Sequence, residues 1–220
     1  MSAAPKRLPP VAWVVAFAAA GLLVFGAAKL FKASERRDAE AAAPIGEIPP
    51  FRFTTQEGKP LTREGLLGKV WVADFIFTRC GGPCPLMTSR MAELAKGLTK
   101  AGDVRLVSVT VDPEHDTPAV LADYASRMTA DPSRWIFLTG PKPDIDDFAR
   151  KGMFQVLAYD AKGVPTHSTR FLVVDRQGRI RKTHGLDEPE LVQKLFMDIG
   201  GLLREPVSGN PPGSSTNTAP

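Results

Sequence analysis

Residues 69–85 read KVWVADFIFTRCGGPCP, and this stretch decides the fold. Its first ten residues are rich in Val, Ile and Phe and have the length of a strand buried on both faces. Cys80 and Cys84 follow at once, separated by Gly81, Gly82 and Pro83. Behind them residues 86–100 place Met87, Met91, Leu94, Ala95 and Leu98 at helical spacing. The cysteine pair therefore stands where a buried strand passes into a helix. Ligands of open α/β sheets bind at that edge, and the positive end of a helix dipole favours thiolate over thiol. Pro85 suits the first helical position, which makes Cys84 the expected N-cap.

Working outward, strand and helix patterns alternate. Residues 104–111 (VRLVSVTV) form a second apolar strand, and residues 117–128 a helix opened by Thr117 and Pro118. Residues 135–138 read as a short strand and 145–151 as a helix. Residues 171–175 and 179–183 read as strands around a turn at 176–178, and 189–203 as a last helix. Such alternation predicts an α/β sandwich with a mixed central sheet. No internal repeat is visible.

The ends differ in composition. Residues 11–28 are all apolar or Gly, and at 1.5 Å per residue a helix there reaches about 27 Å, close to the hydrocarbon thickness of a bilayer. Lys29 can snorkel and extend the span to Phe31. The rival reading is a cleaved secretory signal, with Lys6 and Arg7 as its basic start and Ala41, Ala42 and Ala43 for cleavage. The run is longer than a signal core, and the alanines lie well beyond it, so an uncleaved anchor is expected. Either reading exports the rest. Residues 1–10 then form a short lead segment, 11–31 a transmembrane anchor, 32–47 a stalk linker, 48–204 one folded domain and 205–220 a disordered tail.

The 220 residues are 43% hydrophobic and 24% charged, the balance of a chain that buries a core. The net charge of +4 is spread among acidic residues, with no basic run to track a phosphate backbone, so nucleic acid is not an expected partner. Two cysteines, both within one five-residue stretch, exclude a multi-bridge scaffold and look like a site.

Three intervening residues, two of them glycine, leave two uses for the pair. It can close a disulfide, or both sulfurs can face one ion, for which thiolates are soft ligands suited to Cu(I) or Zn. Two sulfurs need a third donor, and a neutral imidazole is the commonest. Of three histidines, His167 has the best context, in the segment VPTHS just before the strand at 171–175; the other reading is a loop histidine without a ligand role. His115 and His184 read as solvated. Met87 and Met91 read as core residues rather than thioether ligands. Asp112 closes the second strand, where it either bonds the cysteine loop and tunes its charge or serves as a turn-former with Pro113. Asp116 reads as part of helix initiation with Thr117.

Three segments together resemble the Sco/SenC family of copper-binding proteins: FTRCGGPCPLMTSRM (77–91), VTVDPEHDTPAVLADYA (109–125) and HSTRFLVVDRQG (167–178). The resemblance spans residues 48–200. It implies a thioredoxin-like three-layer sandwich behind one N-terminal transmembrane helix, facing the periplasm or the mitochondrial intermembrane space. It further implies one copper ion, Cu(I) or Cu(II), held by Cys80, Cys84 and His167, with Asp112 matching an aspartate associated with that site. Family members assist assembly of the CuA centre of cytochrome c oxidase, as copper donors to its copper-containing subunit or as thiol reductants of its cysteines. The expected function is thus a copper metallochaperone, the alternative a thiol:disulfide oxidoreductase using Cys80 and Cys84. Lysines and arginines flanking residues 11–31 are more numerous behind the span than before it, and it is the resemblance that places the domain outside the cytoplasm. The chain departs from the family pattern in Gly81-Gly82-Pro83, where Pro and an acidic residue are common, and in Thr166, where Asp is frequent.

Overall fold

The computed structural model describes Phe25, Lys29 and residues 43–98, 101–161, 163 and 165–205. The chain divides into two compact units, residues 1–43 and 44–220. In the first, Phe25 and Lys29 are helical and exposed, with the Lys29 ammonium 5.2 Å from the Phe25 ring centroid. Among the described residues no helix is long and apolar enough to cross a membrane. The span expected over 11–31 lies, those two residues apart, outside the described residues, as do the lead segment, most of the linker and the tail after Glu205.

The second unit begins with three short strands, β1 (Gly46–Glu47), β2 (Arg52–Thr55) and β3 (Pro60–Thr62). Next come β4 (Val70–Ile76), helix α1 (Cys84–Gly97), β5 (Val104–Thr110), α2 (Pro118–Arg127) and β6 (Trp135–Thr139). Helix α3 (Lys142–Asp147) runs on into a wider turn at Phe148–Gly152. The ribbon β7 (Leu157–Tyr159) and β8 (Pro165–His167) precedes β9 (Arg170–Val174), β10 (Arg179–Gly185) and α4 (Leu191–Arg204).

Eight strands form one mixed sheet in the order β1-β10-β9-β4-β5-β6-β2-β3. β4, β5 and β6 are parallel, and β9 joins β4 antiparallel. All seven residues of β4 are buried, as its apolar run, broken only by Asp74, predicts for a central strand covered on both sides. Its alternation sorts the layers. Asp74 faces the side where Thr88 of α1 bonds Tyr124 of α2 at 2.8 Å, while Phe75 faces Phe148 on the opposite side, centroids 6.4 Å apart. Helix α4 packs against α1 and β4, so closely that a Cβ on Gly97 would lie 2.2 Å from the Phe196 ring. Met87 and Met91 are fully buried in this layer, in the core role their spacing predicts.

The sequence reading is changed at the edges. Ile45 donates to the Ile180 carbonyl at 2.7 Å and Gly46–Glu47 pair with β10, so these residues, expected in the linker, belong to the sheet. β1, β2 and β3 hold two to four residues each, too few for a periodicity to show. The turn at 176–178 lies where expected, with Gly178 at φ +78, a conformation glycine adopts without a Cβ penalty.

Candidate functional site

The carboxyl ends of β4 and β5 lie side by side, Ile76 opposite Thr110, and the chain leaves both toward the same edge. From β4 it runs through Phe77, Thr78 and Arg79 to Cys80, then over Gly81, Gly82 and Pro83 into α1. Cys84 is the first residue of α1, Pro83 its N-cap and Pro85 a first-turn residue, one position later than expected. Cys84 is 1% exposed, and Cys80 is partly exposed. Both thiols are free, and Cys80 lies close enough to Cys84 to raise its pKa.

His167 comes from β8, which pairs with β7 in the register Leu157↔His167, not from an open loop. The three-residue strands LAY and PTH carry no periodic signal, so the ribbon escaped the sequence. The ribbon brings His167 Nε2 to 3.4 Å from Cys84 Sγ. His167 Nδ1 lies 2.9 Å from the Ser168 carbonyl oxygen, which only an N–H can satisfy. That bond fixes the tautomer and leaves the Nε2 lone pair facing the sulfur. The ring also sits edge-on to Phe77, centroids 6.1 Å apart. Phe77, Cys80, Gly81, Gly82, Pro83, Pro165, Thr166 and His167 line a cavity of about 270 Å3.

Burial sets the protonation states. It lowers the His167 pKa, against a smaller upward pull from the Ser168 carbonyl, so the ring is neutral at neutral pH. Burial, followed by the neighbouring Cys80, pushes the Cys84 thiol far above its ordinary value. This reverses the expected preference for thiolate at the helix start: removing the sulfur from water outweighs the dipole of one helix end. Without a cation, Cys84 keeps its proton and donates S–H to Nε2; a soft cation must displace that proton to bind the sulfur.

Asp112 does reach the cysteine loop. Its Oδ2 accepts from Arg79 Nε at 3.2 Å and from a terminal Arg79 nitrogen at 2.6 Å. Asp116 is not a helix-initiating residue: Thr117 caps α2 alone, and the Asp116 side chain turns inward, fully buried, onto Thr78 and Thr110. His115, read as solvated, lies 2.9 Å from Asp116 Oδ1. His184, also read as solvated, is largely enclosed, with Nδ1 3.0 Å from Glu188 and Nε2 2.7 Å from Asp198. Those carboxylates stand 4 and 14 residues further on, a relation no local pattern reveals. Asp74 was missed altogether. It lies fully buried in β4, accepts from Ser108 Oγ at 2.6 Å, and leaves Oδ2 without a partner. Burial pushes its carboxyl up to about 7.

A family model described as SCO1/SenC matches residues 39–199. The chain belongs to the SCO1/SenC family. This SCO1/SenC chain is 39% identical over 157 residues to the SCO1 protein homolog of Bacillus subtilis (strain 168), covering 70% of this chain and 81% of the relative. Among solved structures it resembles BsSco, a member of the Sco family of cytochrome c oxidase assembly proteins in which a disulfide switch was identified. The TM-score is 0.65 at 34% identity, over 73% of this chain and 95% of that one. It also resembles Bradyrhizobium japonicum ScoI with copper bound, at TM-score 0.60 and 27% identity, over 72% of this chain and 99% of that one. The likeness to these Sco structures makes the SCO1/SenC fold seen here thioredoxin-like, an α/β arrangement with a mixed sheet.

Proposed function

We propose that the chain binds one copper ion through Cys80, Cys84 and His167 and hands it on during assembly of the CuA centre of cytochrome c oxidase. The observation that carries this reading is the 3.4 Å approach of His167 Nε2 to Cys84 Sγ, with Cys80 beside it. Two sulfurs and a neutral imidazole with its lone pair turned inward suit a soft ion, and Cu(I) best of all. The bond from Nδ1–H to the Ser168 carbonyl is the kind of outer contact that orients a ligating histidine. Copper is cargo here. A partly exposed Cys80 and the open cavity beside it leave one sulfur within reach of an acceptor, while the buried Cys84 and the half-buried His167 retain the ion.

Likeness to a copper-bound ScoI and to an oxidase assembly protein supports the same reading. A dithiol oxidoreductase, with the more exposed Cys80 attacking, needs no imidazole against its buried sulfur. The geometry thus favours metal over exchange chemistry. Oxidation of the pair to a disulfide removes both thiolate ligands and switches binding off. The apolar run at 11–28 supports an uncleaved anchor that holds the domain in the periplasm or intermembrane space, near its membrane-bound client.

Titrating the reduced full-length protein with Cu(I) against a chromogenic chelator tests this. One ion per chain is expected, with at least 100-fold weaker binding in each of Cys80→Ser, Cys84→Ser and His167→Ala, and no binding in the disulfide form. Unchanged affinity in all three variants, or equal affinity of the oxidised protein, overturns the reading.

A further inference from the structure

The two arms of the cysteine loop are held very differently. On the far side of Cys80, Gly81 and Gly82 are exposed, and among the described residues no side chain bonds to either or to Pro83. A Cβ on Gly81 would meet nothing within 4 Å. Nothing there fixes where the Cys80 sulfur lies. On the near side, Arg79 is tied to Asp112 and the Cys80 N–H donates to the Phe77 carbonyl at 3.2 Å, and the other bonds converge on one carboxylate. Thr78, two residues before Cys80, donates its backbone N–H to Asp116 Oδ2 at 3.0 Å and its hydroxyl to Oδ1 at 2.5 Å. Thr110, the last residue of β5, donates its hydroxyl to Oδ2 at 2.5 Å. His115 Nδ1 adds a contact to Oδ1 at 2.9 Å. Asp116 is completely buried, and its own N–H is tied to the Asp112 carbonyl at 2.9 Å.

Asp112, His115 and Asp116 lie close enough to suggest a cation site. Their atoms are already spoken for: Asp112 by Arg79, Asp116 by two threonines and His115. A carboxylate with four donors converging on it from two strand ends and a turn is a joint. It fixes Thr78 against Thr110, and the short tether Thr78-Arg79-Cys80 carries that restraint to the sulfur.

The geometry points to Asp116 as the positioning residue of the site: through Thr78 it sets where Cys80 stands relative to Cys84. This rests on the copper reading for its consequence, but its geometric content does not need copper. Cys84 is placed by α1 and the core; Cys80, beyond two glycines on one side, is placed on the other by its turn bond to the Phe77 carbonyl, by the Arg79–Asp112 pair and by the joint, of which the joint's carboxylate is the fully buried one. Loss of the joint therefore lowers the effective concentration of one sulfur at the other without changing any ligand.

The test uses full-length Asp116→Ala, Asp116→Asn and Thr78→Val, with Leu202→Ala as a control that destabilises the core far from the loop. Position is read without metal, from the equilibrium in which the dithiol and oxidised glutathione give the intramolecular disulfide and two reduced glutathiones. Asp116→Ala is expected to lower that constant at least 10-fold and Thr78→Val, which keeps the backbone bond, about 3-fold. Asp116→Asn, which keeps one acceptor oxygen, falls between wild type and Asp116→Ala. Leu202→Ala melts earlier with an unchanged constant. Cu(I) affinity is expected to follow the same order. If Asp116→Ala and Thr78→Val melt earlier but keep the wild-type constant, Asp116 is structural only and the inference fails. Should Asp116→Ala not fold, Thr78→Val alone decides. Altered disulfide constants in a protein whose wild type binds no copper would sink the proposed function and leave the joint standing.

Discussion

His167 and His184 are the same side chain in opposite settings. Among the described residues His167 meets no charged group: one ring nitrogen donates to a carbonyl, the other faces a thiol, and burial lowers its pKa. His184 lies between two carboxylates, and the bond to Asp198, then the bond to Glu188, raise its pKa against the cost of burial. The first ring is kept neutral with a lone pair turned inward, the condition of a ligand. The second is kept cationic and ties β10 to the turn before α4 and to α4 itself, with Lys194 completing the cluster at 3.0 Å from Glu188. Environment, not residue type, assigns the role.

The largest expected effect that could break this contrast is on metal. His184→Ala should leave Cu(I) affinity within about 2-fold of wild type in the same titration that costs His167→Ala at least 100-fold. A comparable loss in both variants would erase the distinction.

Stability should rank them the other way. His184→Ala removes two charge-assisted bonds and leaves Asp198 and Glu188 facing each other across a gap, at a cost of about 2 kcal/mol in urea unfolding of the metal-free protein. His167→Ala gives up one bond to a carbonyl, the weak S–H bond from Cys84 and the edge contact with Phe77, together a cost of about 1 kcal/mol. The reverse order would show that the carboxylate clamp contributes little.

The smallest effect is the most discriminating, because its sign differs. His184 is easier to protonate folded than unfolded, so its contribution is complete below the ordinary histidine pKa near 6.5 and is lost as pH rises through its raised folded value. His167 is harder to protonate folded, so its penalty appears as pH falls from about 6.5 through its lowered value. Between pH 5 and 8, His167→Gln should therefore gain stability relative to wild type toward acid. His184→Gln should lose most in that same direction. Asp74 adds a background slope that both variants share, since a carboxyl raised to about 7 costs stability as pH climbs from about 4 to 7. Difference profiles against wild type cancel it. Parallel profiles for the two histidine variants would contradict the assignments.

How far the sequence reached follows from where each signal resides. β4 was legible because a central strand covered on both faces must be apolar throughout, and VWVADFI nearly is. The one exception, Asp74, passed unremarked inside that run, although a carboxylate in a buried strand is the kind of departure that marks an unusual environment. Met87 and Met91 were legible from helical spacing. Cys80 and Cys84 were legible as a site from their place between strand and helix, whereas His167 was preferred to two other histidines for its place just before a strand, and its ligand role came from the family pattern. Its ribbon is built of strands too short to show a period. Asp116 was misread because Asp-Thr-Pro before a helix looks like a cap, and Thr117 does cap. The inward turn of the preceding carboxylate depends on Thr78, 38 residues earlier. The thiol state of Cys84 was misread because the helix start is visible in sequence and the depth of burial is not.

X-ray absorption at the copper edge of the Cu(I)-loaded full-length protein tests the central claim most directly. Two sulfur scatterers and one imidazole are predicted, with the imidazole signal absent in His167→Ala and retained in His184→Ala. An imidazole signal that survives in His167→Ala, or a site with sulfur ligands alone in the wild type, would contradict the account.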